Sequence, residues 1–255
     1  MDLIVFDLDG TLLNSTSEIS PFTKETLTLL GEKGIAYTLA TGRTMLSAES
    51  ILEGNNFDLP QAYNNGVTIW DPKTQNLILE NLLSDEEISK IIGLADSQGI
   101  TPFVHAIDDQ YYFIYHAAPG HQVEKELIST RYRNVKAKIF PIEALPANAQ
   151  VTNISMIGVA EAIKPILREL RKDPNLIAYS GPAIEGDQYR WMDILHNKAS
   201  KGAAVATIKN WLGATQIICF GDSENDLSLF QLADESYAPE NAKDNLKEAA
   251  SAVIG

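Results

Sequence analysis

Two acidic clusters stand at the ends of apolar runs. Asp7 and Asp9 follow Leu3 to Phe6 and lead into Gly10-Thr11, and Gly221-Asp222-Ser223-Glu224-Asn225-Asp226 follows Gln216 to Phe220. An i, i+2 pair of aspartates leaving a strand can turn two carboxylates into one crevice. In an open parallel sheet, ligands bind in the crevice beyond the carboxyl ends of the strands. Clusters this far apart in sequence meet only if their strands share that edge. Hard carboxylate oxygens gathered in this way suit Mg²⁺. A DxD at a strand end, taken alone, is ordinary turn composition; the pair of clusters points to metal-and-phosphate chemistry. Neither GxGxxG nor GxxxxGK[ST] occurs, so the chain has no nucleotide-binding loop of those kinds.

Other groups could serve the same chemistry. Thr41-Gly42-Arg43 follows a second apolar run, and a hydroxyl with backbone N–H groups at a strand-to-helix junction can hold phosphate oxygens. Arg43 could reach either the phosphate or the leaving group. Lys201 opens a helix, where the helix dipole disfavours a cation. Its position makes sense if it neutralises a phosphoryl group or a carboxylate, with Lys198 as the rival. The histidines 105, 116, 121 and 196 form no metal-ligand motif and no Ser-His-Asp set.

The elements that must position these groups follow from periodicity. Leu3 to Phe6 reads as a strand, Pro21 onward as a helix with Ser20 as its N-cap, and Ile35 to Ala40 as a second strand. A helix over 44–54 and a short strand near Ala62 complete a strand–helix–strand rhythm, which predicts a largely parallel sheet. The middle reads differently. Ser84 with Glu87 forms a capping box, and strands are expected at 101–106, 111–116, 151–159, 175–180 and 189–195, with helices between. The parallel rhythm returns with a helix over 201–212, a strand over 216–220 and short helices over 224–232 and 241–250. The expected fold is therefore α/β: a Rossmann-like core with a parallel sheet over 1–81 and 189–255, split by an α+β module with an antiparallel sheet over 82–188.

Composition bounds the function. The chain has 255 residues, 20 Lys+Arg against 34 Asp+Glu, and a formal net charge of −14. No basic stripe is present, which argues against nucleic acid as a partner. An anionic membrane surface is disfavoured for the same reason, and no apolar stretch reaches the ~18 residues of a span. A small phosphorylated substrate is still compatible, because a metal and a few cations reverse the potential locally. Cys219, the only cysteine, lies in the apolar run QIICF and reads as a buried structural thiol. A cytoplasmic protein, monomer or homodimer, is expected.

With these residues in order, the sequence resembles the haloacid dehalogenase-like superfamily of phosphatases, in its Cof-like branch with a large cap inserted between the second and third motifs. The motifs are DLDGT at 7–11, Thr41 in TGR, Lys201 in SKG and GDSEND at 221–226. The resemblance implies that Asp7 is the nucleophile that forms an aspartyl-phosphate. It implies that Asp9 protonates the leaving oxygen and then activates water. Thr41 and Lys201 would hold the phosphoryl group, with Gly42, Arg43, Asn65 and Gly66 of an NG element, and Asn225, beside the substrate; Asn64 duplicates the side chain next to it and is the alternative to Asn65. Mg²⁺ would be the cofactor, held by Asp7, Asp9 through its backbone carbonyl, and Asp222, with Asp226 completing the metal site and Asn225 orienting it. The inserted module would read the leaving group, with Ser180 to Arg190 as the candidate segment and Glu185, Gln188 and Arg190 as candidate contacts.

The leading expectation is a Mg²⁺-dependent phosphomonoesterase acting on small metabolites, sugar phosphates foremost. A phosphomutase shares the same core, a nucleotide or cofactor monophosphate is an alternative substrate, and a metabolite-binding module without catalysis is a third class. The last is disfavoured because Asp7 and Asp9 are both present.

Overall fold

Leu3 and Val5, both fully buried, make the opening run a strand with its apolar side chains turned into a core. The structure, a computed structural model, describes residues 1–109, 111–132 and 136–255. In chain order the opening segment contributes β1 (Asp2–Phe6), α1 (Pro21–Glu32), β2 (Ala36–Leu39), α2 (Met45–Leu52), β3 (Gln61–Tyr63), β4 (Thr68–Asp71) and β5 (Asn76–Leu79). The middle contributes α3 (Asp85–Ser97), β6 (Phe103–Asp108), β7 (Tyr111–His116), α4 (Gln122–Thr130), β8 (Ala137–Pro141), β9 (Val151–Val159), α5 (Ala160–Leu170), β10 (Leu176–Ala183) and β11 (Gly186–His196). The chain closes with α6 (Lys201–Leu212), β12 (Gln216–Phe220), α7 (Leu227–Leu232), β13 (Glu235–Pro239), α8 (Asp244–Ala249) and β14 (Ala252–Ile254).

These elements form two units, Met1–Glu80 with Ala199–Gly255, and Asn81–Lys198. Sequence alone places the return to the first unit at 189, ten residues early. The physical reason is β11: Tyr189 to Ile194 pair antiparallel with Val159 to Ile154 of β9, so the whole strand belongs to the second unit.

In the first unit, five parallel strands lie in the order β14-β13-β12-β1-β2. The chain passes from β1 to β2 on one side and returns to β12 on the other. The order therefore reverses between β1 and β12, the place where parallel sheets open a crevice at their carboxyl ends. Ala204, Val205 and Ile208 of α6 pack with Leu3, Val5, Ile217 and Cys219 in one core, and Leu39, Leu27 and Ala48 in another.

Helix α1 starts as the sequence predicts: Pro21 is its first residue and the Thr23 N–H donates to Ser20 Oγ at 3.1 Å. The expected strand near Ala62 exists, yet it joins the parallel sheet by one bridge, Ala40 to Ala62. It belongs instead to an antiparallel sheet, β3-β4-β5, whose last two strands have no counterpart in the sequence reading. Strands β13 and β14 likewise have no counterpart in the sequence reading; β14, three residues long, forms the sheet edge, and β13 lies between it and β12.

The second unit is a six-stranded sheet in the order β10-β11-β9-β6-β7-β8, antiparallel except for the β7–β8 pair. Ile88 and Ile91 of α3 and Ile163 and Ile166 of α5 pack on one face with Val104, Ile154, Met192 and Ile194. Val123 and Leu127 of α4 pack on the other with Phe103, Ile114 and Ile157. The capping box read at Ser84 is present, with Ser84 N–H donating to Glu87 at 2.8 Å. Among the described residues no helix is long and apolar enough to cross a membrane.

Candidate functional site

Asp7 is the first residue after β1, and its backbone continues the ladder: its N–H donates to the Phe220 carbonyl at 3.0 Å. That bond sets the Asp7 side chain beside the chain leaving β12, where Gly221 and Asp222 follow. The turn out of β1 requires Gly10, whose φ is +79°; a Cβ there would lie 2.3 Å from Asp222 Oδ2. The two acidic clusters therefore meet. Carboxylate oxygens of Asp7, Asp222 and Asp226 lie within 4.8 Å of one another.

Lys201, the first residue of α6, is 1% exposed and lies among them. Its Nζ donates to Asp7 Oδ1 at 2.6 Å and to Asp226 Oδ1 at 2.7 Å. The other oxygen of Asp226 accepts from the Asp222 and Ser223 N–H groups at 3.1 and 3.0 Å. Both Asp226 oxygens are thus committed, and its carboxylate holds Lys201 and the GDSEND turn in place. Lys198, the sequence rival, is exposed and belongs to the second unit. The start of α6 is itself fixed by Gly66, at φ +94°, where a Cβ would meet the Ser200 carbonyl oxygen at 2.2 Å. Gly66, expected beside the substrate, here has a packing role: it lets the Asn64–Gly66 turn approach the helix that carries Lys201.

Three carboxylates against one lysine leave an excess of negative charge, and the titrations follow from it. Burial pushes the Asp7 carboxyl up to about 7, against the pull of Lys201 and with the help of Asp226 and Asp222. Burial also raises Asp222, again with Asp226 adding to it. Burial works to lower Lys201, and the Asp226 and Asp7 carboxylates more than reverse that, holding it above its ordinary value. This donor set suits a hard divalent cation. The oxygen chemistry fits Mg²⁺, with Asp7 and Asp222 offering carboxylate oxygens that Asp226 no longer has.

The TGR loop follows β2. Thr41, 1% exposed, has its N–H on the Ala62 carbonyl at 2.9 Å, and its Oγ1 accepts from Arg43 N–H at 3.1 Å. Gly42 lies against the Asn65 and Asn225 amides, 3.2 and 3.4 Å from a Cβ placed there. Asn225 Nδ2 donates to Asn65 Oδ1 at 2.8 Å, which joins the NG turn to GDSEND and selects Asn65 over Asn64 for that contact. Arg43 turns out to bond Asp9: its Nε and Nη2 donate to Oδ2 and Oδ1, both at 2.6 Å. That bond raises Arg43 above its usual value. The Asp9 side chain is 52% exposed and its carboxylate is held in this fork, apart from the buried trio.

Sequence reasoning missed two contributors, the Asn241 amide that donates to the Gly10 carbonyl at 2.8 Å and the Lys243 N–H that donates to the Asp222 carbonyl at 3.0 Å. No motif marks either. Arg190 lies in the second unit, where its Nε and Nη2 reach Ser180 Oγ and the Ser180 carbonyl at 3.4 and 3.3 Å. Glu185 there pairs with Arg131 at 3.1 Å.

Residues 4–255 match the sequence profile of the haloacid dehalogenase-like hydrolases. The chain belongs to that superfamily. It is 29% identical to the 5-amino-6-(5-phospho-D-ribitylamino)uracil phosphatase YwtE of Bacillus subtilis, over 99% of this chain and 92% of the relative. It is 24% identical to the pyridoxal phosphate phosphatase YbhA of Escherichia coli, over 99% and 93%. Its fold is that of a haloacid dehalogenase-like hydrolase from B. subtilis of known structure, with a TM-score of 0.79 at 23% identity, covering 99% of this chain and 94% of the other.

Proposed function

We propose that this chain is a Mg²⁺-dependent phosphomonoesterase that hydrolyses small phosphorylated metabolites, sugar phosphates foremost, through an aspartyl-phosphate on Asp7. The observation that carries the reading is the buried Asp7–Lys201–Asp226 arrangement at the reversal point of the parallel sheet, with Asp222 beside it. Buried charge of this kind, desolvated and paired at a crevice, marks functional sites.

In the first step an Asp7 carboxylate oxygen forms a bond to phosphorus as the bond from phosphorus to the ester oxygen breaks. The leaving oxygen takes a proton from Asp9. In the second step a water oxygen bonds to phosphorus, Asp9 takes the water's proton, and the Asp7–phosphorus bond breaks to free inorganic phosphate. For this, Asp9 must leave the Arg43 fork seen here. Lys201 stays charged throughout because two carboxylates face it, so it neutralises the phosphoryl oxygens that Asp7 would otherwise repel. The Thr41 hydroxyl and the Gly42 N–H would bind the same oxygens, because the Thr41 N–H is held by the Ala62 carbonyl and the Arg43 N–H by Thr41 Oγ1. Asp226 positions Lys201, and Asn225 with Asn65 locks the loops.

The groups that would hold Mg²⁺ are the Asp7 and Asp222 carboxylates and the Asp9 backbone carbonyl; when bound, the ion supplies the positive charge that lets an anion approach a carboxylate. The second unit would act as the substrate-specificity module. Burial raises the Cys219 thiol, so it stays unreactive, which suits the cytoplasm.

A phosphate-release screen over sugar, nucleotide and cofactor monophosphates, with and without Mg²⁺, tests the reading. The expected result is Mg²⁺-dependent release, fastest with sugar phosphates. Absence of release from every monoester in the presence of Mg²⁺ would overturn the phosphatase assignment, and interconversion of hexose phosphates without release would favour a mutase.

A further inference from the structure

The two turns that carry the acidic clusters are gripped by one short loop. Asp9 has φ −75° and ψ 122°, and Gly10 has φ 79° and ψ −5°. These are the angles of a type II turn over Leu8 to Thr11, with the glycine where that turn needs a positive φ. The turn type fixes which way the Asp9 carbonyl points, because a type I turn of the same residues differs by turning over the Asp9–Gly10 peptide. It does not fix how far that carbonyl lies from Asp222, which follows a different strand.

The distance is set from β13. The Tyr237 carbonyl accepts from Gly221 N–H at 3.3 Å, where the GDSEND turn begins. Beyond Pro239 the chain bends, with Ala242 N–H donating to the Pro239 carbonyl at 2.9 Å and Glu240 N–H to the Ile254 carbonyl at 3.0 Å. Ala242 and Leu246 are buried in the core that holds Leu3, Ile217 and Cys219, which anchors the loop from below. From this loop Asn241 Nδ2 donates to the Gly10 carbonyl at 2.8 Å, and Lys243 N–H to the Asp222 carbonyl at 3.0 Å. Residues 241 and 243 therefore hold the turn out of β1 and the turn out of β12 at once.

The two grips differ in kind. Lys243 uses its backbone N–H, which any residue except proline supplies. The bond to Gly10 comes from a side chain, so it depends on the residue at 241. Gly10 is also in close contact with the other turn, since a Cβ there would lie 2.3 Å from Asp222 Oδ2. A small displacement of Gly10 thus changes the spacing between the Asp9 carbonyl and the Asp222 carboxylate. Groups that orient metal ligands in this way set the affinity of a site without touching the ion.

We propose that Asn241 is a positioning residue for the Mg²⁺ site: its amide holds the Gly10 carbonyl so that the Asp9 carbonyl and the Asp222 carboxylate keep the spacing a hard cation needs. The inference rests on the Mg²⁺ assignment in the proposed function. It goes beyond that assignment because Asn241 acts through Gly10 and is not itself a ligand.

Metal affinity reads the effect directly. Mn²⁺ takes the same carboxylate and carbonyl oxygens as Mg²⁺. In the full-length protein, titration with Mn²⁺ followed by the EPR signal of the free ion should show binding that Mg²⁺ displaces. Asn241→Ala should bind Mn²⁺ about tenfold more weakly, as expected for loss of a group that orients a ligand. Asn241→Gln, which keeps the amide on a longer stem, should recover part of the loss. Urea unfolding with and without Mg²⁺ separates positioning from plain stability. At one Mg²⁺ concentration well above both dissociation constants, the stability that Mg²⁺ adds should be smaller by about 1.4 kcal/mol in Asn241→Ala, the equivalent of tenfold in affinity. The proposal is overturned if Asn241→Ala binds Mn²⁺ as tightly as the wild type, or if it loses the same stability with and without Mg²⁺. A wild-type protein that binds no displaceable Mn²⁺ would overturn the Mg²⁺ assignment itself, and this proposal with it.

Discussion

In the first unit Lys201, Asp7 and Asp226 meet as ions at strand and helix ends, whereas in the second His105 and Asp193 sit mid-strand among neutral partners. The first group is buried and the second half-buried, and the backbone explains the difference in their partners. At the carboxyl ends of β1 and β12 the ladder has finished, so N–H groups such as those of Asp222 and Ser223 are free to anchor a carboxylate. Inside a sheet the N–H groups are already used by neighbouring strands, and a carboxylate must find side chains instead. Asp226 therefore takes donors on both oxygens, while Asp193 takes the Asn153 amide on one. Backbone donors anchor Asp226, whereas burial pushes both Asp193 and Asp7 up to about 7, and only Asp7 has a lysine to oppose the rise.

The sharpest way to break this comparison is at Asp7. Asp7→Asn should lower phosphate release by more than about a thousandfold, because the nucleophile is lost; undiminished release would remove Asp7 from the chemistry. Next comes Lys201→Met, which strands two buried carboxylates. Breaking a buried ion pair from one side costs about 3–5 kcal/mol, so denaturant unfolding should show a loss of that order together with loss of activity. A variant as stable as the wild type would show that the trio carries no such charge. Gly66→Ala should cost about 1–3 kcal/mol, since it places a methyl on the Ser200 carbonyl at a positive φ. A stability equal to that of the wild type would refute the packing role.

The smallest effects concern the second unit and appear in pH dependence. Asp193 titrates higher in the folded chain, near 7, than in the unfolded one, near 3.9. Its contribution to stability is therefore complete below about pH 4 and lost as pH rises through 7. His105 is shifted down to about 4, so its contribution is lost as pH falls from about 6.5 through 4. The two oppose each other. Urea unfolding between pH 4 and 8 should show stability falling less with rising pH in Asp193→Asn, and falling less with acidification in His105→Gln. Parallel curves for both variants and the wild type would show that neither group titrates as described.

The same contrast explains what the sequence made legible. DLDGT, TGR, SKG and GDSEND are contiguous, because each occupies one strand end or helix start, and so the residues of the first site could be read by eye. The mid-strand group of the second unit could not: it takes His105 from β6, Asn153 and Ser155 from β9 and Asp193 from β11, and only the register brings them together. The Arg43–Asp9 fork was similarly hidden, since the sequence offers Arg43 several acceptors and no geometry. Strands β4 and β5 leave little trace in the sequence because each is four residues long and follows a turn rather than a helix. The domain return was misplaced because β11 begins close to where core motifs were expected, and nothing in its composition says that it pairs with β9.

The central claim is that Asp7 itself carries the phosphoryl group. Acid quenching during turnover of a good substrate, followed by peptide mass mapping, tests it most directly. The account predicts a phosphorylated peptide containing Asp7, present in the wild type and absent from Asp7→Asn. Rapid Mg²⁺-dependent turnover with no trapped phosphopeptide, or with the phosphoryl group on another residue, would contradict it.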